Sequence, residues 1–170
     1  MKRLALITVL LIFISLTILS GCSNSSHQLQ ATLNDYSKIF EEGIPEGLNL
    51  TIYYVDPTIL TNYPWSKDNL IAASDVTKIV IEHDELAAQW KHIQEMDLSV
   101  LQPALEESYV NARIYYVLGT REDKILEVVL NGIHDFDSSF VNDIAVENHT
   151  VLYEILRPFL TEDDCKILGI

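Results

Sequence analysis

Apolar side chains recur every three or four residues in three segments, residues 29–40, 84–96 and 149–160. This spacing places them along one face of a helix, so it predicts three amphipathic helices. In the third segment we expect Pro158 to kink or shorten the last turn, because proline has no backbone N–H to donate. A shorter helix is predicted after Ser66, whose hydroxyl is suited to cap a helix N-terminus.

Other segments alternate between apolar and polar residues, which is the pattern of a β-strand with one buried face. Residues 48–55 have this character, and residues 76–81 are predicted as a second strand. Residues 110–118 and 124–130 flank a polar, turn-like stretch and predict a β-hairpin of the longer-loop kind. Short extended pieces are expected between residues 140 and 146.

The order of these elements indicates an α+β fold. Because a hairpin places its strands antiparallel, we expect a mainly antiparallel sheet with helices packed on one face. Residues 29–170, 142 in number, have the size of one domain and are enough for one substantial core.

The beginning of the chain has a different composition. Lys2 and Arg3 precede an apolar run from Leu4 to Leu19, and the small residues Ser20 and Gly21 follow. This is the layout of an export signal over residues 1–21. A helix of sixteen residues reaches only about 24 Å, which is short of a hydrocarbon core of roughly 30 Å. A cleaved signal therefore fits better than a permanent membrane span.

The stretch Leu19-Ser20-Gly21-Cys22 resembles the lipobox of bacterial lipoproteins at all four positions. The resemblance covers residues 1–22 and implies that the signal is cleaved before Cys22, whose sulfur then carries a diacylglycerol thioether. Residues 22–28 would be the lipidated cysteine and a polar tether. The implied location is the extracytoplasmic face of the cell membrane or, in a bacterium with two membranes, the outer membrane.

The charge of the body restricts its partners. The net charge of the whole chain is −14, and removal of a signal that contains Lys2, Arg3 and no acid changes it to −16. A body this acidic is repelled by phosphate backbones, so we expect no nucleic-acid binding. It is also repelled by anionic lipid surfaces, so the expected link to the membrane is the lipid on Cys22.

No sequence pattern of a catalytic or metal site is present. The chain lacks the glycine-flanked serine of hydrolases, the glycine-rich phosphate loops and paired zinc ligands, so we expect no cofactor and no metal. The stretch Asp135-Phe136-Asp137 begins like a calcium loop, but Phe140 and Val146 stand where glycine and glutamate are required. Cys165 remains alone once Cys22 is lipidated, so no intrachain disulfide is expected.

These observations favour a membrane-anchored binding or accessory module over an enzyme. Its partner would be another envelope protein or a small ligand, and the candidate contact residues are Tyr53, Tyr63 and Trp65. Aromatic side chains beside a proline form ligand platforms in some proteins, although packing of the loop onto the core is the commoner arrangement. Two alternatives stay open: a small lipid-anchored hydrolase and a lipoprotein that handles calcium or another metal.

Overall fold

The computed structural model describes residues 25–39, 43–105, 110–131 and 138–170. The signal segment and Cys22 lie outside the described residues. Within them, residues 25–39 form helix α1 and the further helices are α2 (Lys67–Ala72), α3 (His83–Ala88), α4 (Trp90–Glu95), α5 (Val151–Glu154) and α6 (Glu162–Leu168). The strands are β1 (Asn49–Tyr54), β2 (Thr77–Ile81), β3 (Ile114–Gly119), β4 (Lys124–Leu130), β5 (Ser139–Val141) and β6 (Ile144–Val146).

The six strands form one antiparallel sheet in the order β2-β1-β3-β4-β5-β6. The predicted α+β class and the predicted hairpin, now β3 and β4, are therefore confirmed. Strand β1 lies between β2 and β3, so its residues from Leu50 to Tyr54 have a paired residue on both sides. The tight turn between β5 and β6 places Asn142 and Asp143 at positive φ, a conformation that these two residue types tolerate better than most.

One face of the sheet carries the main hydrophobic core. Leu50 and Ile52 of β1 point into it, as do Tyr116 of β3 and Val128 of β4. Helix α1 packs its apolar stripe against this face, together with α3, α4 and α5. The hydroxyl of Tyr116 donates to the carbonyl of Leu152 in α5 (2.9 Å), so a polar atom in the core keeps a hydrogen bond.

The second face of the sheet carries a smaller cover that the sequence did not predict. Helix α2 and the loop that precedes it lie across β1 and β3 there. We define the second-face cluster as the buried hydrophobic residues of this layer: Val55, Leu70, Ala112, Tyr115 and Val129. Strand β4 passes between the two layers, which explains why its residues from Leu126 to Leu130 are all buried.

The predicted helices differ from the observed ones in their bounds. Residues 25–28, which the sequence assigns to the polar tether, are already helical in the structure. The predicted helix 84–96 is divided at Gln89, and α3 begins at His83 with Glu82 as its N-cap. The predicted helix 149–160 is reduced to α5 and a 3₁₀ turn at Arg157–Phe159, because Pro158 cannot donate the hydrogen bond that would continue it.

Candidate ligand-binding face

The three aromatic residues singled out from the sequence have different environments. Tyr53 lies on the second face of β1, and its ring stacks on that of Tyr115 with the centroids 5.7 Å apart and the planes at 28°. The Nζ atom of Lys78 lies 5.3 Å from the centroid of the Tyr53 ring. Tyr53 is thus held between its neighbours on β2 and β3.

Trp65 covers the second-face cluster from the loop before α2. Its backbone N–H donates to Oδ1 of Asn111 (3.1 Å), and its carbonyl oxygen accepts from the N–H of Ala112 (2.8 Å). The Arg113 guanidinium lies 5.5 Å from the centroid of its ring. Tyr63, by contrast, is 62% exposed. The structure therefore brings Tyr53 and Trp65 to the same face of the sheet and leaves Tyr63 at its solvent-exposed margin.

A charged cluster that the sequence analysis missed lies beside these aromatics. Glu127 of β4 points to the second face with only 10% of its side chain exposed. Its Oε1 accepts hydrogen bonds from Nζ of Lys67 (2.8 Å) and from the hydroxyl of Tyr115 (2.9 Å). Its Oε2 accepts from Nζ of Lys124 (3.1 Å). Lys67 also reaches Asp143 (3.2 Å), so the cluster joins α2, β3, β4 and the β5–β6 turn.

The electrostatics of this cluster keep each group in its ordinary protonation state. Burial alone would raise the pKa of Glu127, but the hydrogen bonds from Lys67, Lys124 and Tyr115 outweigh it and lower the pKa. The pKa of Lys67 is raised, chiefly by its hydrogen bond to Glu127. The pKa of Tyr115 is raised, first by burial and then by its hydrogen bond to Glu127.

These directions bear on what the cluster can do chemically. A general acid or base works best with a pKa near the operating pH. Here the carboxylate of Glu127 is held ionised, while Lys67 and Tyr115 are held protonated. The pKa of each group is shifted further from neutral pH. The arrangement is therefore suited to fastening α2 to the sheet and not to proton transfer.

An open groove of about 420 Å³ lies where α2 leaves the second face uncovered. Its floor is formed by Thr51 and Tyr53 of β1 with Tyr115 and Val117 of β3. One wall is the turn between β3 and β4, residues 120–123, which carries charges of both signs. Of the three aromatics predicted from the sequence, Tyr53 is the one that lines this groove.

The histidines do not meet in one place within the described part of the chain. No group of three or more histidine, cysteine, aspartate or glutamate side chains there is arranged to hold a metal ion. Nε2 of His92 lies 3.2 Å from the carbonyl oxygen of Glu154, and Nδ1 of His149 accepts from the N–H of Val151 (3.2 Å). His134 and the Asp135-Phe136-Asp137 stretch lie outside the described residues. Cys165 is half-buried on α6.

Comparison with protein families, with curated proteins and with solved structures finds no match to this chain. In the segments that the structure covers, no helix has the length and apolar character needed to cross a membrane.

Proposed function

We propose that this chain is a lipid-anchored extracytoplasmic domain that acts as a binding or accessory module at the membrane surface. The observation that carries the proposal is Leu19-Ser20-Gly21-Cys22 directly behind a charged start and an apolar run. One acyl chain holds a protein to a bilayer only marginally, whereas two chains on one cysteine give stable attachment. The role of Cys22 is therefore retention.

The described part of α1 supports a position close to the lipid headgroups. Helix is present from Ser25 onwards, and the stripe of α1 that includes Leu29 and Leu33 is buried in the main core. Only three peptide units separate Cys22 from Ser25, and at most about 3.6 Å per unit gives a reach of roughly 11 Å. The net charge of −16 keeps the folded body from lying down on an anionic surface.

The second face of the sheet supports a binding role over a catalytic one. Its best-defined charged group, Glu127, is satisfied by three donors and is held ionised. Three of the roughly four lone-pair sites of this carboxylate are occupied by donors within the fold, which suits a group that stabilises the structure.

The anchor is tested by phase separation of the full chain in a detergent that clouds on warming. Wild-type protein and the Cys165→Ser variant should enter the detergent phase at the mass of the processed lipoprotein. Cys22→Ser should lose the lipid, and any unprocessed product should be identifiable because it retains residues 1–21. Equal behaviour of Cys22→Ser and wild type, with the same mass, would exclude the proposed anchor.

A further inference from the structure

The two outer edges of the sheet differ in whether their backbone N–H and C=O groups are hydrogen-bonded. At the β6 edge, residues 102–104 add a short strand-like pairing. The N–H of Ala104 donates to the carbonyl of Ala145 (2.9 Å), and the N–H of Glu147 donates to the carbonyl of Gln102 (2.9 Å). Pro103 forms a bridge with Val146 between them. The backbone groups of this edge are therefore occupied.

At the other edge, β2 pairs with β1 alone among the residues that the structure describes. Thr77, Lys78 and Val80 are exposed, and Val80 exposes 42% of its surface. Only Ile81, at the end next to α3, is buried. Every second residue of an edge strand directs its N–H and C=O outward, so β2 presents unpaired backbone groups to an incoming strand.

We propose that the outer edge of β2 is an interaction site that takes an extended, cationic segment of a partner protein as an added strand. Backbone hydrogen bonds to an open edge supply the affinity in this mode of recognition, and flanking side chains supply the selectivity. The proposal concerns the folded domain and holds whether or not Cys22 carries lipid.

The charges around β2 select the partner. Asp75 precedes the strand, and Glu82, Asp84 and Glu85 follow it, all exposed. The only cation on the strand is Lys78, whose Nζ is directed toward the Tyr53 ring. A peptide with basic residues at both ends therefore meets acids at both ends of β2, which favours association and steers the encounter.

A second copy of this chain fits the same edge poorly. Antiparallel pairing of β2 with itself would bring the acids that flank the strand in one copy, Asp75 and Glu82, near the flanking acids of the other copy, and such juxtaposition of like charges is unfavourable. Each body also carries a net charge of −16. These repulsions are absent for a basic segment.

The test uses the mature full-length protein in micelles of a neutral detergent and three synthetic peptides. The first has a core of alternating threonine and valine with two lysines at each end. The second has glutamates in place of the lysines, and the third has the lysines but prolines in place of the valines, which removes backbone donors. Calorimetric titration gives the affinities, and hydrogen exchange followed by NMR locates the amides that become protected.

The lysine peptide should bind and should slow amide exchange within β2, whereas the proline and glutamate peptides should bind at least about fivefold more weakly. The double charge reversal Asp75→Lys with Glu82→Lys should invert the preference between the lysine and glutamate peptides. The matched control is Glu147→Lys with Glu154→Lys, which changes the net charge equally at the β6 edge and on α5 and should preserve the preference.

Three results would overturn the proposal. The first is binding of the lysine peptide without added protection of β2, and the second is equal binding of the proline peptide, since either would mean charge attraction without strand addition. The third is a dimer of the protein alone that protects the β2 amides, since it would make a second copy the occupant. None of these results bears on the lipid anchor, which phase separation tests independently.

Discussion

Lys67 donates a 2.8 Å hydrogen bond from Nζ to Oε1 of Glu127, a residue 60 positions later in the chain. This ion pair fastens α2 to β4 and so keeps the second face of the sheet covered. The carboxylate also accepts from Tyr115 and Lys124. The pair is therefore the centre of a network, and removal of the Glu127 carboxylate should leave three donors without their hydrogen-bond acceptor.

The first prediction concerns the size of that effect. Glu127→Gln should lower the free energy of unfolding by about 1–3 kcal/mol, because it weakens hydrogen bonds to a charged and largely buried group. The control is Glu122→Gln at the exposed turn between β3 and β4, which should change it by less than about 0.5 kcal/mol. Urea unfolding followed by circular dichroism measures both. A loss no larger than that of the control would mean that the network adds no stability.

The second prediction concerns pH. The pKa of Glu127 in the folded chain lies below its ordinary value of 4.5, so its contribution is present above that value and is lost as the pH falls through the folded pKa. The difference in unfolding free energy between wild type and Glu127→Gln should be constant near neutrality and should shrink in acid. Urea unfolding of both proteins over a series of pH values measures it. A difference that grows in acid would contradict the assigned direction.

The third prediction tests whether α2 packs on the second face of the sheet in solution. Leu70→Ala should cost about 2–5 kcal/mol of unfolding free energy, because Leu70 has no exposed surface and its truncation leaves a cavity in the second-face cluster. Leu60→Ala makes the same chemical change in the same region at a side chain that is 97% exposed, and it should have almost no effect. Equal thermal midpoints of the two variants would show that α2 does not pack on the sheet in solution.

The fourth prediction concerns α6, whose N-terminus is closed by a reciprocal pair. Asp164 accepts at Oδ2 from the N–H of Thr161 (3.2 Å), while the hydroxyl of Thr161 accepts from the N–H of Asp164 (3.1 Å). The hydroxyl of Tyr54 also donates to Oδ1 of Asp164 (2.5 Å). Asp164→Ala should therefore destabilise the domain by about 1–2 kcal/mol, whereas Asp163→Ala, one residue earlier and exposed, should cost only a few tenths. The two variants are compared by urea unfolding, and similar losses would contradict this role of Asp164.

The strands were easier to predict from the sequence than the helices. Alternation located β1 to within one residue at each end, because its deeply buried face requires a strict period of two. Strand β2 was also located to within one residue although its burial does not alternate, whereas β3 begins at Ile114, four residues later than predicted. The third predicted helix is not continuous, because Pro158 interrupts it. The segment forms two short pieces, α5 and a 3₁₀ turn. Helix α6 was missed, although Thr161 followed three residues later by Asp164 resembles a capping box and was a usable signal.

The charged cluster was harder to predict for a physical reason. Glu127 stands among the apolar residues 125–130 of β4, and that position alone indicates a carboxylate that must find a partner. Which cation satisfies it depends on how α2 returns over the sheet, and no local pattern records a contact between residues 60 apart. Tyr53 and Trp65 were predicted from the sequence only as candidate contact residues, and their contacts with Tyr115 and Arg113 arise only in the fold.

The central claim is that lipid on a single sulfur holds this acidic domain at a membrane. Intact mass spectrometry of the protein purified from its native membrane, followed by fragmentation of its N-terminal peptide, measures this directly. The claim predicts a mature chain whose first residue is Cys22, with the added mass of a diacylglycerol thioether on that residue. A mature chain that begins at any other residue, or a Cys22 with a free thiol, would contradict it.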